Sequence, residues 1–192
     1  IQGKPSASDI ANYLTCEDRT SKVKGKLTAV FRITSHTRRK VSLFKKITDV
    51  LNPQVYDIDK LLEIIRDDTY YHLKPKIEAA RKAKSKEEKA KKKALLPAVT
   101  WNGVFKSKNK NECVLYSSFT ALDFDHIEPE NMKTFGRWLQ GFPCVYTYFV
   151  TPSGTGFKAI ILHDNYESLY HYDLYNQLLK LFDCPWIDKS TT

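Results

Sequence analysis

From Phe119 to Phe182 the chain alternates apolar runs with helix-period segments, and this order limits the fold more than any other feature. "FTALDFDH" is built of strand-forming residues. "PENMKTFGRWLQGF" brings Met132, Phe135, Trp138 and Leu139 onto one helical face, with Gly141 near its end. "CVYTYFVTPSGTGFKAIILH" reads as two strands around a Pro-Ser-Gly-Thr-Gly turn. "YESLYHYDLYNQLLKLF" follows as a helix capped by Asn165, with Leu169, Tyr172, Leu178 and Phe182 as its buried stripe. "CPWIDKSTT" begins a further strand. Strands of this kind bury one face only when helices cover it, so the C-terminal half is an α+β layered structure.

Upstream the pattern is weaker. Residues 1 to 40 are polar, with scattered Val30, Phe31 and Ile33 and a basic "HTRRK". "KVSLF" is a short strand, and "DIDKLLEIIRDDTYY" an amphipathic helix burying Ile58, Leu61, Leu62, Ile64 and Ile65. "KPKIEAARKAKSKEEKAKKKALLP" predicts one solvated helix over 76–94, closed by Pro97. "AVTWNGVF" predicts a strand, a turn at Asn102-Gly103 and a return strand. The expected division is an N-terminal segment, 1–96, and an α+β core, 97–192. Of the net charge of +9, the stretch from Lys74 to Lys93 supplies +7, with ten Lys or Arg against three Glu. The basic character belongs to one element. Four scattered cysteines without a CxxC pair argue for reduced, structural thiols and a cytoplasmic setting. No apolar run is long enough for a membrane span, and Ile1 in place of Met marks a boundary with sequence expected before it.

Asp123 and Asp125 sit in the apolar run "TALDFDH". Strand alternation turns both to one face and Leu122 and Phe124 to the other, with the acids' Cβ atoms about 7 Å apart. Two carboxylates so close either share a cation or push one proton affinity up. With water and phosphate they suit Mg²⁺ or Mn²⁺ better than zinc. A second reading stands beside this one: Asp123 pairs with a lysine and Asp125 caps the turn into "IEPEN". In "TPSGTGFK", Gly154 and Gly156 permit close backbone approach, and Ser153 and Thr155 add hydroxyls. Successive N–H groups there can form an anion nest, to which Lys158 adds a point charge. The stretch is neither a GxxxxGK[ST] loop nor a GxGxxG fingerprint, and an ordinary hairpin has the same composition. Tyr146, Tyr148 and Phe157 suit either base stacking or a core. No histidine, His126 included, falls at metal-ligand spacing.

Taken together, "LPAVTWNGVF", "FTALDFDH", "TPSGTGFK" and "WID" resemble the catalytic core of the archaeo-eukaryotic primase superfamily. The nearer resemblance is to the N-terminal domain of virulence-associated protein E, a primase-polymerase-like module of mobile elements, over roughly Leu95 to the end. The resemblance implies a partly open sheet in the style of an RNA-recognition motif, with flanking helices and a basic helical N-terminal extension. It implies that Asp123, Asp125 and Asp188 hold catalytic Mg²⁺ or Mn²⁺. It further implies that Ser153, Gly154, Thr155, Gly156 and Lys158 grip a nucleoside triphosphate. On that reading Arg81, Lys82, Lys84 and Lys89 of the basic helix contact phosphates of single-stranded or primed DNA. A helicase or another domain of the same chain is the implied partner. Two departures matter. Lys158 stands where many members have histidine, and the chain ends four residues after Asp188, where the family pattern continues through a basic segment. Three functions therefore stand: a template-directed nucleotidyltransferase, which is preferred; an inactive DNA- or nucleotide-binding module; and a metal-dependent nuclease.

Overall fold

A computed structural model describes residues 38–67, 72–165 and 167–190. Strands β1 (Lys40–Phe44) and β2 (Gln54–Asp57) lead into helix α1 (Ile58–Asp67), followed by α2 (Leu73–Arg81) and α3 (Lys86–Ala94). Then come β3 (Ala98–Thr100), β4 (Gly103–Phe105), β5 (Cys113–Tyr116) and β6 (Phe119–Phe124). The last elements are α4 (Pro129–Gln140), β7 (Val145–Val150), β8 (Phe157–Leu162) and α5 (His171–Leu181).

The central sheet has the order β6-β8-β7, all antiparallel. Beyond β6 the chain returns after α5 and pairs once more, through a bridge between Phe124 and Ile187. Helix α4 links β6 to β7 and α5 links β8 to that outer edge. The edge, β6, β8 and β7 thus form the βαββαβ arrangement of an RNA-recognition-motif sheet, and the fold is α+β. Two smaller antiparallel sheets, β2-β1-β3 and β4-β5, complete it.

Alternation along β6 and β8 feeds two cores. Leu122, Phe124, Phe157, Ala159 and Ile161 face α4 and α5, where Phe135, Leu139, Tyr175, Leu178 and Phe182 meet them. Aromatic pairs with centroids 4.5–6.4 Å apart fill that layer, among them Phe124–Phe135 and Phe142–Phe182. On the other face Phe119 and Ile160 pack with Val41, Leu43, Ile58, Leu61 and Trp101. The β1–β2 hairpin and α1 therefore share a core with the central sheet. Arg39 fastens this layer, donating to Asp59 and to the Tyr146 hydroxyl at 2.7 Å each while lying over the Phe119 and Tyr146 rings.

Several expectations change. The basic stretch is two helices rather than one over 76–94: Ser85 accepts from the Glu88 N–H at 3.0 Å and caps α3, while Glu88 reaches back to the Lys84 N–H. β3 and β4 do not pair with each other; β3 joins β1 and β4 joins β5, because longer-range edges outcompete the Asn102-Gly103 turn. The α5 stripe begins later than expected. Leu169 and Tyr172 are 78% and 64% exposed, whereas Tyr175, Leu178 and Phe182 are buried. Asn165 closes a local turn with Glu167 instead of capping α5, which starts at His171. Phe157 is core, with Tyr148 edge-on against it. Cys113, Cys144 and Cys184 are free thiols. Expectations for residues 1–37, Cys16 among them, and for 68–71 lie outside the described residues. No described helix is long and apolar enough to cross a membrane.

Candidate nucleotide and metal site

At one end of the second face, beyond Ala121 and Ile160, the sheet turns polar. β6 and β8 register Asp123 against Lys158, and Lys158 Nζ lies 2.5 Å from Asp123 Oδ2. Across the other edge of β6, the Asp188 N–H donates to the Asp123 carbonyl and the Asp125 N–H to the Trp186 carbonyl, both at 2.8 Å. These bonds set Asp188 directly opposite Asp123, so Lys158, Asp123 and Asp188 form one row across three adjacent chain segments. The side chains of the Lys158–Asp123 pair are 27% and 18% exposed, half-withdrawn from water, so the ion pair is stronger than a surface one. The Ser190 hydroxyl and N–H, donating to Asp188 Oδ1 at 2.6 and 2.8 Å, hold that carboxyl below its ordinary range. The positive charge of Lys158 acts in the same direction.

Asp125 continues past the last registered pair and meets the hairpin between β7 and β8. A Cβ on Gly156 would lie 2.2 Å from the Phe124 carbonyl oxygen, 3.0 Å from Asp125 Oδ1 and 3.2 Å from Thr151 Oγ1. Only glycine lets the loop close on the acids at that point. The loop is tied by Thr151 N–H to the Gly156 carbonyl, Gly154 N–H to the Thr151 carbonyl, and Ile127 N–H to the Thr155 carbonyl, each at 2.9 Å. Gly154 adopts φ +82°, the left-handed conformation that glycine accepts without cost. Thr151 and Ser153 share a hydroxyl hydrogen bond of 2.8 Å. The N–H groups of Ser153, Thr155 and Gly156 donate to no backbone carbonyl among the described residues, which suits an anion.

Beside Asp125 and Asp188 opens a cavity of about 390 Å³, lined also by His126, Glu128, Pro185, Trp186 and Ile187. The Trp186 indole N–H donates to Glu128 at 3.2 Å, and His126 holds a left-handed backbone, φ +61°. The sequence reading missed Glu128 and Trp186. His126 carried a readable signal, being next to the acids, but its backbone did not.

The three acids are hard oxygen donors gathered at one sheet end, chemically suited to Mg²⁺ or Mn²⁺, and the Lys158 ammonium already stands at Asp123 as a cation. Among the described residues, no three His, Cys, Asp or Glu side chains enclose an ion. Asp123 is held by Lys158 and Asp188 by Ser190, so closure around a metal requires the Lys158–Asp123 pair to part. The lysine partner expected for Asp123 in the second reading is Lys158. Of the basic residues, Lys82 and Lys84 are exposed and Lys89 half-buried along α2–α3. Arg81 instead reaches the hairpin, donating to the Thr151 and Pro152 carbonyls at 3.3 and 3.2 Å.

Residues 90–181 match the family model described as BT4734-like, N-terminal domain. The match runs from within α3 through α5, so it takes in Asp123, Asp125 and the hairpin and stops before Asp188. No curated protein and no solved structure matches the chain.

Proposed function

We propose that this chain is a primase-polymerase-like domain that binds a nucleoside triphosphate and a divalent cation for template-directed nucleotidyl transfer on DNA, as in replication proteins of mobile elements. The observation that supports it most is the row Lys158–Asp123–Asp188 at the end of an RNA-recognition-type sheet, with Asp125 and the Ser153–Gly156 hairpin against it. The hairpin N–H groups and Lys158 bind the phosphates. Asp123, Asp125 and Asp188 would hold the cation, which would supply charge stabilisation to the oxygens at the α-phosphate. Lys158 would pair with phosphate once its ion pair with Asp123 opened. Little covalent chemistry falls to the protein; orientation and charge carry the rate. The basic α2–α3 pair offers an electrostatic contact to template phosphates.

The Lys158–Asp123 ion pair supports a second reading, an inactive nucleotide- or DNA-binding module. Titration calorimetry with dATP and Mn²⁺, on wild type and Asp123→Asn, separates the two. Metal-dependent dATP binding lost in the variant supports nucleotidyl transfer. DNA binding indifferent to metal and to the substitution supports the inactive module. Cleavage of single-stranded DNA without triphosphate assigns the acids to a nuclease.

A further inference from the structure

Arg81 is the last residue of α2, 70 and 71 residues before the hairpin carbonyls it contacts. Its guanidinium lies close to Gly154: a Cβ placed there would be 3.2 Å from Nε and 3.5 Å from Cζ. Nε donates to the Pro152 carbonyl and one terminal nitrogen to the Thr151 carbonyl, which leaves further N–H groups of the fork uncommitted. No carboxylate among the described residues pairs with Arg81. A fixed positive fork therefore sits on the same loop whose Ser153, Thr155 and Gly156 N–H groups donate to no backbone carbonyl among the described residues, with Lys158 two residues beyond Gly156. A guanidinium beside N–H groups that lack backbone acceptors, with no acid paired to it, is an arrangement that an anion suits.

We infer that Arg81, from the basic helices outside the central sheet, is a phosphate-binding residue that closes over the β7–β8 hairpin and contacts the outer phosphates of the bound triphosphate. This deepens the proposed function and rests on the hairpin being its phosphate site. A planar fork anchored through two carbonyls is pre-organised, so little freedom is lost when phosphate arrives. Arg81 is exposed, and its removal leaves both cores intact.

The test is calorimetry on the whole chain with inorganic tripolyphosphate, dATP and dAMP, for wild type, Arg81→Gln, Arg81→Lys and Lys158→Gln, with melting temperatures alongside. Expected is a loss of about tenfold or more in tripolyphosphate and dATP affinity for Arg81→Gln, the value of one charge-assisted contact. Arg81→Lys should fall between, dAMP should be unaffected, and melting should be unchanged. Wild-type dATP and tripolyphosphate affinity in Arg81→Gln, with loss in Lys158→Gln, overturns the role of Arg81 and leaves the hairpin site standing. Equal loss for dAMP together with a lowered melting temperature also overturns it, reducing Arg81 to a structural latch. No binding of either polyphosphate by wild type removes both the inference and the reading beneath it.

Discussion

Gly156→Ala isolates the fit between hairpin and acids. The new methyl would sit 2.2 Å from the Phe124 carbonyl oxygen, a backbone atom that no rotamer change can move, and 3.0 Å from Asp125 Oδ1. Relief requires the loop to back away by roughly 1 Å, which strains the contact with β6 at a cost of about 1–3 kcal/mol. It also weakens the 2.9 Å hydrogen bond from Thr151 N–H to the Gly156 carbonyl, adding about 1 kcal/mol. A total near 3 kcal/mol lowers the melting temperature of a chain this size by roughly 6–12 °C. Gly136→Ala is the matched control. Its methyl would first meet the Tyr148 and Phe157 side chains, at 3.4–3.6 Å, and it removes glycine from the middle of α4. That variant should melt at or slightly above the wild type, since alanine gains up to about 1 kcal/mol in a helix. Thermal unfolding followed by circular dichroism reads both. A Gly156→Ala protein melting within about 2 °C of wild type would refute the close approach of loop and strand.

His163 is 1% exposed, and burial pushes its pKa from 6.5 down to about 4. The unfolded chain thus takes up a proton near pH 6.5 that the folded chain refuses until about pH 4. Stability falls as pH drops through that window, by at most about 1.4 kcal/mol per pH unit, and His163→Phe flattens the slope in urea titrations. Phe135→Ala, in the aromatic layer beneath α4, costs about 3–5 kcal/mol in denaturant unfolding. Ser85→Ala removes the α3 cap, costs about 1 kcal/mol and speeds amide exchange in that helix while leaving β6 protected. Replacing Lys82, Lys84 and Lys89 together by Gln lowers the salt dependence of single-stranded DNA binding by roughly 2 in log–log slope if all three meet phosphates.

The alternation of β6, β7 and β8 and the face of α4 were legible because short-range periodicity decides them. The break before α3 was missed, although Ser85 and Glu88 form a capping spacing there, because the stretch around them looked uniformly helical. The α5 stripe misled because Leu169 and Tyr172 fit a helical period in a segment whose first turn is a 3₁₀ turn, ahead of the helix. Pairings across long separations were not legible. The Asn102-Gly103 signal predicted a local hairpin, yet β3 and β4 found partners elsewhere. The acids and the Gly-rich turn were visible as residue types. Their meeting depends on the β6–β8 register, which sets Asp123 on Lys158 across 35 residues. The reach of Arg81 to the hairpin leaves no local trace at all.

Manganese line broadening in amide NMR spectra, recorded with dATP present, tests most directly whether acids and hairpin meet at one bound ion. A shared site gives broadening centred on residues 123–126, 153–158 and 188, with β1 and β2 left sharp, and its loss in Asp125→Asn. Broadening centred elsewhere, or unchanged in that variant, would contradict it.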